Sequence, residues 1–214
     1  GRFGAPFTYA TFHQERELAP GQLSYAQMKE IYDYDQISPN TDVYALIADP
    51  IAHSLGPMVQ NAAFRHLKLD KICVPFRVPR EELEPFLGYC RQFGMQGLSV
   101  NFPHKENIVP FLTQSDRAVD HISVANTVVI DGFDRSGFNT DFLAALESVD
   151  GSLGRAGEVD VLSGKSAVVL GAGGMARAVV HALRLREVSV VIASRTFSRA
   201  QELAAKFNCR AVDW

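Results

Sequence analysis

Val168-Val169-Leu170-Gly171-Ala172-Gly173-Gly174-Met175-Ala176 sets glycines between a run of branched apolar residues and a stretch with helical spacing. That order of residue types can hold an anion. In a strand, turn and helix of this kind Gly171 permits the turn, Gly173 lets backbone approach a pyrophosphate, and Ala176 packs helix on sheet. The amides opening the helix from Gly174 onward face the anion, aided by the helix dipole. A second apolar run ~20 residues later ends in Ala193-Ser194-Arg195-Thr196. A site for an unphosphorylated ribose carries Asp or Glu where Ser194 and Arg195 stand. A guanidinium there suits a 2′-phosphate, so the cofactor called for is NADP.

The elements that must position this turn are legible around it. Lys165–Leu170 reads as a buried strand and Met175–Arg186 as a helix with Val179 and Leu183 on one face. Val188–Ala193 and Arg210–Val212 read as further strands. A doubly wound dinucleotide domain has about six strands, so residues 164–214 are expected to be the front half of one. Residue 1 is Gly and the chain stops at Trp214, and the sequence is expected to be a middle piece of a longer polypeptide. Half a nucleotide sheet should expose an unpaired edge and apolar surface, with weak or absent NADP turnover.

Three blocks precede or join this unit. Residues 1–39 hold an apolar segment (Phe3–Phe12), a loop Ala19-Pro20-Gly21-Gln22, and a helix from Ser24 to about Tyr34 capped by Ser24, with Met28, Ile31 and Tyr32 on one face. Residues 40–150 alternate strand and helix. The expected strands are Val43–Ala48, Ile72–Val78 and Gly97–Val100; the helices are Pro57–Leu67, Arg80–Phe93 and one beginning near Pro103. A hairpin, Ala125–Ile130 with Arg135–Phe138, turns at Asp131-Gly132 and leads to a helix over Phe142–Val149. Such alternation predicts a mostly parallel sheet with an antiparallel portion near the hairpin. Residues 151–163 read as a Gly-rich linker.

In the middle block, polar residues cluster where parallel strands end, the place open α/β sheets put their sites. Pro50-Ile51-Ala52-His53-Ser54-Leu55-Gly56-Pro57 follows the first strand, and Asn101-Phe102-Pro103-His104-Lys105 the third. Asn126 begins the hairpin and Asn139-Thr140-Asp141 follows it. Singly, each has a structural reading: Ser54 as a helix cap, Lys105 as a solvent charge, Asn126 as a turn residue, Asp141 as an N-cap. Together, beside a nucleotide unit, they point to a catalytic site.

These motifs resemble shikimate dehydrogenase over about residues 43–212. The resemblance rests on His-Ser-x-Gly-Pro (family His-Ser-x-Ser-Pro), Ser-Val-Asn-Phe-Pro-His-Lys (family Asn-Val-Thr-x-Pro-x-Lys) and Val-Ala-Asn-Thr (family Ala-Val-Asn-Thr). Gly-Phe-Asn-Thr-Asp, Gly-Ala-Gly-Gly and Ser-Arg-Thr (family Asn-Arg-Thr) complete it, in order. It implies NADP-dependent, reversible reduction of 3-dehydroshikimate to shikimate. By the same resemblance Lys105 and Asp141 are the catalytic pair: a carbonyl being reduced needs a proton, and a lysine beside a carboxylate can donate or relay one. Ser54 would bond the substrate carboxylate, Asn126 and Asp141 its hydroxyls, and Asn101 takes the family's threonine position. Gly171, Ala172, Gly173, Gly174, Met175, Ser194, Arg195, Thr196 and Arg199 would hold the NADP phosphates, Arg195 ahead of Arg199. Gly56 replaces the second serine of the carboxylate-binding pair, and losing a hydrogen bond to a charged group costs ~1.5–3 kcal/mol unless replaced. Ser99 and Asn101 also depart from the family pattern, which leaves the choice between shikimate and quinate open.

The first block carries a second resemblance over about 35 residues. Phe3-Gly4-Ala5-Pro6-Phe7-Thr8-Tyr9 and Ala19-Pro20-Gly21-Gln22 are similar to the last strand and substrate loop of type I 3-dehydroquinate dehydratase, a (β/α)₈ barrel. It makes Gln22 a substrate-touching residue, with that family's Schiff-base lysine and histidine expected upstream; Leu18 stands where a serine is usual. The architecture expected overall is α/β: a TIM-barrel remnant (1–39), a mostly parallel substrate domain (40–150), a linker (151–163) and a partial Rossmann NADP-binding domain (164–214). The function implied is that of a bifunctional dehydroquinate dehydratase and shikimate dehydrogenase of aromatic amino-acid biosynthesis. The rivals are a quinate/shikimate dehydrogenase and a non-catalytic ligand sensor, the last disfavoured because sensing needs no proton donor.

The bulk composition agrees with an ordinary globular chain: 47% hydrophobic, 21% charged, net charge −3. That balance predicts no nucleic-acid or membrane partner; the partner that the resemblance implies is a small-molecule substrate, and oligomeric state stays open. No signal peptide or spanning stretch is evident, and the expected location is cytoplasmic. Cys73, Cys90 and Cys209 are scattered and the six histidines dispersed, so no metal is expected.

Overall fold

The computed structural model describes residues 3, 5, 7–16, 18, 19, 21–52, 54–153 and 161–214. Gly4, Pro6, Pro20, His53 and residues 154–160, which carry parts of the dehydratase-like motifs, the His-Ser motif and the expected linker, lie outside the described residues. The chain forms two compact units, residues 1–104 with 129–134, and residues 105–128 with 135–214.

The first unit opens on α1 (Tyr25–Glu30), where Ser24 and Gln27 form a reciprocal capping box. The helix is shorter than its apolar spacing predicts. Ile31 and Tyr32 both donate to the Gln27 carbonyl, and Asp33 turns left-handed at φ 47°, which ends it. Among the described residues, the apolar segment before it forms no strand. Phe7, Tyr9 and Phe12 are exposed, and only Thr11 pairs, as a single parallel bridge to Ser24. A barrel strand needs neighbours on both sides, and the described residues give this segment only that bridge.

Then β1 (Asp42–Ala48), α2 (Gly56–His66), β2 (Lys71–Arg77), α3 (Leu83–Gln92) and β3 (Met95–Val100) alternate as expected. β1 lies between β2 and β3, parallel to both. Ala45, Leu46, Ile47, Cys73, Leu98 and Val100 are almost wholly buried, as strands of a covered parallel sheet require. Asn61 of α2 is tied to β2: its amide donates to the Cys73 carbonyl (3.0 Å) and accepts from the Cys73 N–H (2.7 Å). A helix side chain thus reproduces a ladder pair.

α4 (His104–Asn107) leads into the second unit, followed by β4 (Gln114–Ser115), α5 (Arg117–Ile122), β5 (Thr127–Asp131), β6 (Asp134–Phe138) and α6 (Asp141–Leu153). β4 and α5 carry no periodic signal long enough to read. Asp116 starts α5 by accepting from the Val119 N–H (2.7 Å), and Ala118, Val119 and Ile122 are buried. β4 runs parallel to β6, Gln114 opposite Ser136. The hairpin spacing holds, with the Asn126 N–H donating to the Phe138 carbonyl at 3.0 Å. α6 outruns its expected end at Val149, continuing through Gly151 to Leu153 into residues read as linker. Ser148 and Ser152 donate back to the carbonyls of Ala144 and Ser148, Asp150 pairs with Arg186 at 3.0 Å, and Leu146 and Val149 pack on the core. Those contacts outweigh one helical glycine.

The nucleotide unit is β7 (Ser166–Leu170), α7 (Gly174–Leu185), β8 (Ser189–Ala193), α8 (Phe197–Phe207) and β9 (Arg210–Val212). The strands are parallel in the order β7-β8-β9. Val169, Val190 and Ile192 pack on Val180 and Leu183 of α7 and Ala200, Leu203 and Ala204 of α8. β7 is not the buried strand its composition suggests. Val168 and Leu170 are 65% and 66% exposed, because alternate residues of a strand face opposite ways and only the other face carries α7 and α8.

Candidate active site

The second unit brings three of the expected residues into hydrogen-bonding contact. Lys105 Nζ donates to Asp141 Oδ2 at 2.5 Å, with both side chains about four-fifths shielded at 18% and 20% exposure. Asn126 Nδ2 donates to the other oxygen, Asp141 Oδ1, at 2.8 Å. Each carboxylate oxygen therefore has one partner and retains a lone pair for another donor. An ion pair at this depth is screened less than a surface one.

Local backbone fixes these groups. The Ala125 N–H donates to the Lys105 carbonyl at 2.9 Å, tying the lysine segment to the start of the hairpin. Asp141 is the first residue of α6, and its carboxylate is spent on Lys105 and Asn126 rather than on capping. The neighbouring Asn139 does that work instead. Buried at 2% exposure, it donates to the Val124 carbonyl (2.9 Å) and accepts from the Phe142 N–H (3.3 Å). Thr140 completes the frame, accepting from Asn126 Nδ2 (2.9 Å) while its own N–H donates to Asn126 Oδ1 (3.0 Å). Asn139 and Thr140 were visible only as members of a polar triplet; nothing in their types says which is pillar and which is chemistry. Asn126, expected as a substrate ligand, has both amide donors engaged within the frame, one of them on Asp141.

The glycine turn lies against this pair. A Cβ on Gly174 would stand 3.1 Å from Lys105 Cβ and 3.3 Å from Val124 Cγ1, so a side chain opening α7 would crowd the lysine stem. Gly171 has φ +113°, a conformation open to glycine alone, and its N–H donates to the Ala193 carbonyl at 2.7 Å. A Cβ on Gly171 or Gly173 would meet nothing within 4 Å, leaving the mouth of the turn open, and Ala176 packs on the core as its position predicts. Ala172 is buried and Met175 half-exposed. Past β8, Ser194 is buried and accepts from the Thr196 N–H at 3.4 Å, while Arg195 is exposed with no ion-pair partner among the described residues. Arg199 is not free: it pairs with Glu106 at 2.7 Å. A 12-residue helix with open N-terminal amides, a turn clear of side chains and an unpartnered guanidinium fit a phosphorylated dinucleotide.

The remaining expected residues lie in the first unit. Asn101 follows β3, its N–H donating to the Ile47 carbonyl (2.9 Å) and its carbonyl accepting from the His104 N–H (2.8 Å). His104 is fully buried and donates from Nε2 to the Val78 carbonyl at 2.7 Å, anchoring the turn that carries Lys105. Ser54 accepts from the Gly56 N–H at 3.3 Å, a bond inside its own loop; α2 is capped by no side chain. The serine-to-glycine departure at position 56 has a packing counterpart: a Cβ there would come within 2.1 Å of Leu46 Cδ1, a buried core side chain. Gln22 closes its own loop, its side-chain oxygen accepting from the Leu18 N–H at 3.2 Å. Among the described residues no group of His, Cys, Asp and Glu is placed to hold a metal, and no helix is long and apolar enough to cross a membrane.

Residues 46–128 match the family model of the shikimate dehydrogenase substrate binding domain, and residues 156–213 that of shikimate / quinate 5-dehydrogenase. The chain is 39% identical over 173 residues to the shikimate dehydrogenase (NADP(+)) of Geobacter metallireducens, covering 80% of this chain and 59% of the relative. A chloroplastic bifunctional 3-dehydroquinate dehydratase/shikimate dehydrogenase of Arabidopsis thaliana is 30% identical over 220 residues, covering 99% of this chain and 36% of the relative. Among solved structures, the shikimate 5-dehydrogenase of Thermus thermophilus in complex with NADP(H) and shikimate superposes with TM-score 0.68 at 34% identity, covering 80% of this chain and 62% of that one. The chain thus spans about three-fifths of the bacterial relative and of that structure, and about a third of the plant one.

Proposed function

We propose that this chain carries the substrate domain and part of the cofactor domain of an NADP-dependent shikimate dehydrogenase, which interconverts 3-dehydroshikimate and shikimate. The observation that carries the reading is the Lys105–Asp141 pair, shielded from solvent and in contact with the glycine turn at Gly174. The cofactor supplies or accepts a hydride at the ring carbon. In the reducing direction the carbonyl oxygen gains its proton from Lys105 Nζ, which is left as an amine and is reprotonated from solvent. Asp141 keeps the ammonium aimed, and Asn126 keeps Asp141 in place. In the oxidising direction the amine takes the hydroxyl proton as the hydride leaves. We assign Ser54 to the substrate's carboxylate, Asn126 and Asp141 to its ring hydroxyls, Asn101 to the substrate side, the backbone from Gly171 to Met175 to the pyrophosphate, and Ser194, Arg195, Thr196 and Arg199 to the 2′-phosphate side.

A bifunctional parent is the finer part of the proposal. It is supported by the Pro-Gly-Gln loop at Gln22 and by the plant relative, whose alignment extends over nearly the whole chain, including residues 1–39. The test is turnover by the intact parent polypeptide, followed by the absorbance of reduced nicotinamide. Shikimate with NADP+ should be oxidised, and NAD+ should serve poorly. No turnover of shikimate with either cofactor would contradict the assignment, and quinate oxidised as efficiently would move it to a quinate/shikimate dehydrogenase.

A further inference from the structure

Glu106, the residue after Lys105, is surrounded by cations. Its Oε1 accepts from Arg199 Nη2 of α8 at 2.7 Å, and its Oε2 lies 3.4 Å from Arg177 Nη2 of α7. The Arg177 side chain is only 15% exposed, and its Nε is buried with no hydrogen-bond partner among the described residues. Lys206 of α8 completes the group, donating to Ser123 Oγ at 2.7 Å. Burial and then Arg177 push its ammonium pKa down, while Glu106 holds it up. One carboxylate therefore answers for two arginines and part of a lysine. Arg199 is the most exposed of the pairs' members, at 45%, and so the one an incoming anion can reach.

We infer that Glu106 is a specificity-determining residue that occupies Arg199 until a ligand bearing a phosphate on its ribose 2′-oxygen displaces it. The inference rests on the assignment of Arg199 to the cofactor's 2′-phosphate side. A dianionic phosphate competes with a single carboxylate for a guanidinium, whereas a ribose hydroxyl does not. The Glu106 contact therefore lowers affinity for every nucleotide that must engage Arg199 but leaves a phosphate-bearing one able to do so. Arg177, more deeply set, keeps Glu106 from swinging away altogether.

The probes are adenosine 2′,5′-bisphosphate and adenosine 5′-monophosphate, with binding to the intact protein measured by calorimetry. Glu106→Gln, which retains an oxygen for Arg177, should bind the bisphosphate about three- to tenfold more tightly, the span expected of a half-exposed ion pair removed from competition. The monophosphate should change by less than about twofold. Glu106→Asp keeps a carboxylate for Arg177 but is a methylene short of Arg199, and should shift affinity in the same direction if the glutamine variant folds poorly. In an Arg199→Ala background the gain should vanish. An unchanged bisphosphate affinity in both Glu106 variants, with Arg199→Ala binding weaker than wild type, would overturn the inference while leaving Arg199 on the phosphate. Arg199→Ala binding as tightly as wild type would overturn it through its premise, and would leave the Lys105–Asp141 chemistry untouched.

Discussion

Lys105→Ala should lower the turnover of shikimate by about 10²–10⁴-fold, the range a positioned general acid or base contributes. The expected signature is a fall in kcat with KM for shikimate changed by a few-fold at most, because the proton is needed only as the hydride moves. The side chain is held at both ends. Its stem runs past Gly174, and its head is bonded to Asp141. Removing it also leaves the Asp141 carboxylate shielded, with Asn126 as its remaining hydrogen-bond donor. Melting temperature should be recorded beside the kinetics, since an unpaired carboxylate costs stability as well as rate. Unchanged kcat in a folded variant would remove lysine from the chemistry.

Arg195→Asp should invert the preference between the two nicotinamide dinucleotides. The guanidinium at Arg195 is exposed and unpaired among the described residues, which leaves its full hydrogen-bonding capacity for a phosphate. A charge-assisted contact of that type is worth ~1.5–3 kcal/mol, roughly ten- to 150-fold in affinity. Aspartate adds repulsion toward the phosphate and an acceptor for a ribose hydroxyl, so kcat/KM for NADP+ should fall by about 10²–10³ relative to NAD+. Steady-state kinetics with both cofactors at saturating shikimate read this directly. A variant that keeps the wild-type ratio would place the 2′-phosphate elsewhere, with Arg199 the next guanidinium along the chain.

Much of this was legible because periodicity and turn chemistry carry backbone information. The strands β1, β2, β3 and β8 and the helices α2 and α7 begin and end within a residue or two of their apolar patterns. Gly171 falls at the one turn position that needs φ +113°. What the pattern missed depends on partners distant in sequence. α5 is short, and its start is set by Asp116 and its packing by Ala118 and Ile122. α6 outruns its expected end where Asp150 meets Arg186, a partner distant in sequence, and Leu146 and Val149 pack on the core. The exposure of Val168 and Leu170 turns on which face of the sheet is covered, which strand composition does not encode.

The site divides the same way. Lys105, Asp141 and Asn126 lie at strand ends, a topological position that sequence order reveals, and they meet through hydrogen bonds of 2.5 and 2.8 Å. The division of labour among neighbours is three-dimensional. Asn139 and Asn126 are the same residue type in similar polar surroundings, yet one is a buried pillar and the other a brace on a carboxylate. Glu106 looks like a first-turn surface charge until α7 and α8 bring Arg177 and Arg199 to it.

The most direct test of the central claim is a double-mutant cycle of Lys105→Ala and Asp141→Asn, read in kcat for shikimate oxidation with NADP+. If ammonium and carboxylate act as one proton-transferring unit, the double variant should be no slower than the slower single variant, within about threefold. Losses that multiply across the two substitutions would mean that the residues act independently, and the pair would no longer account for the chemistry.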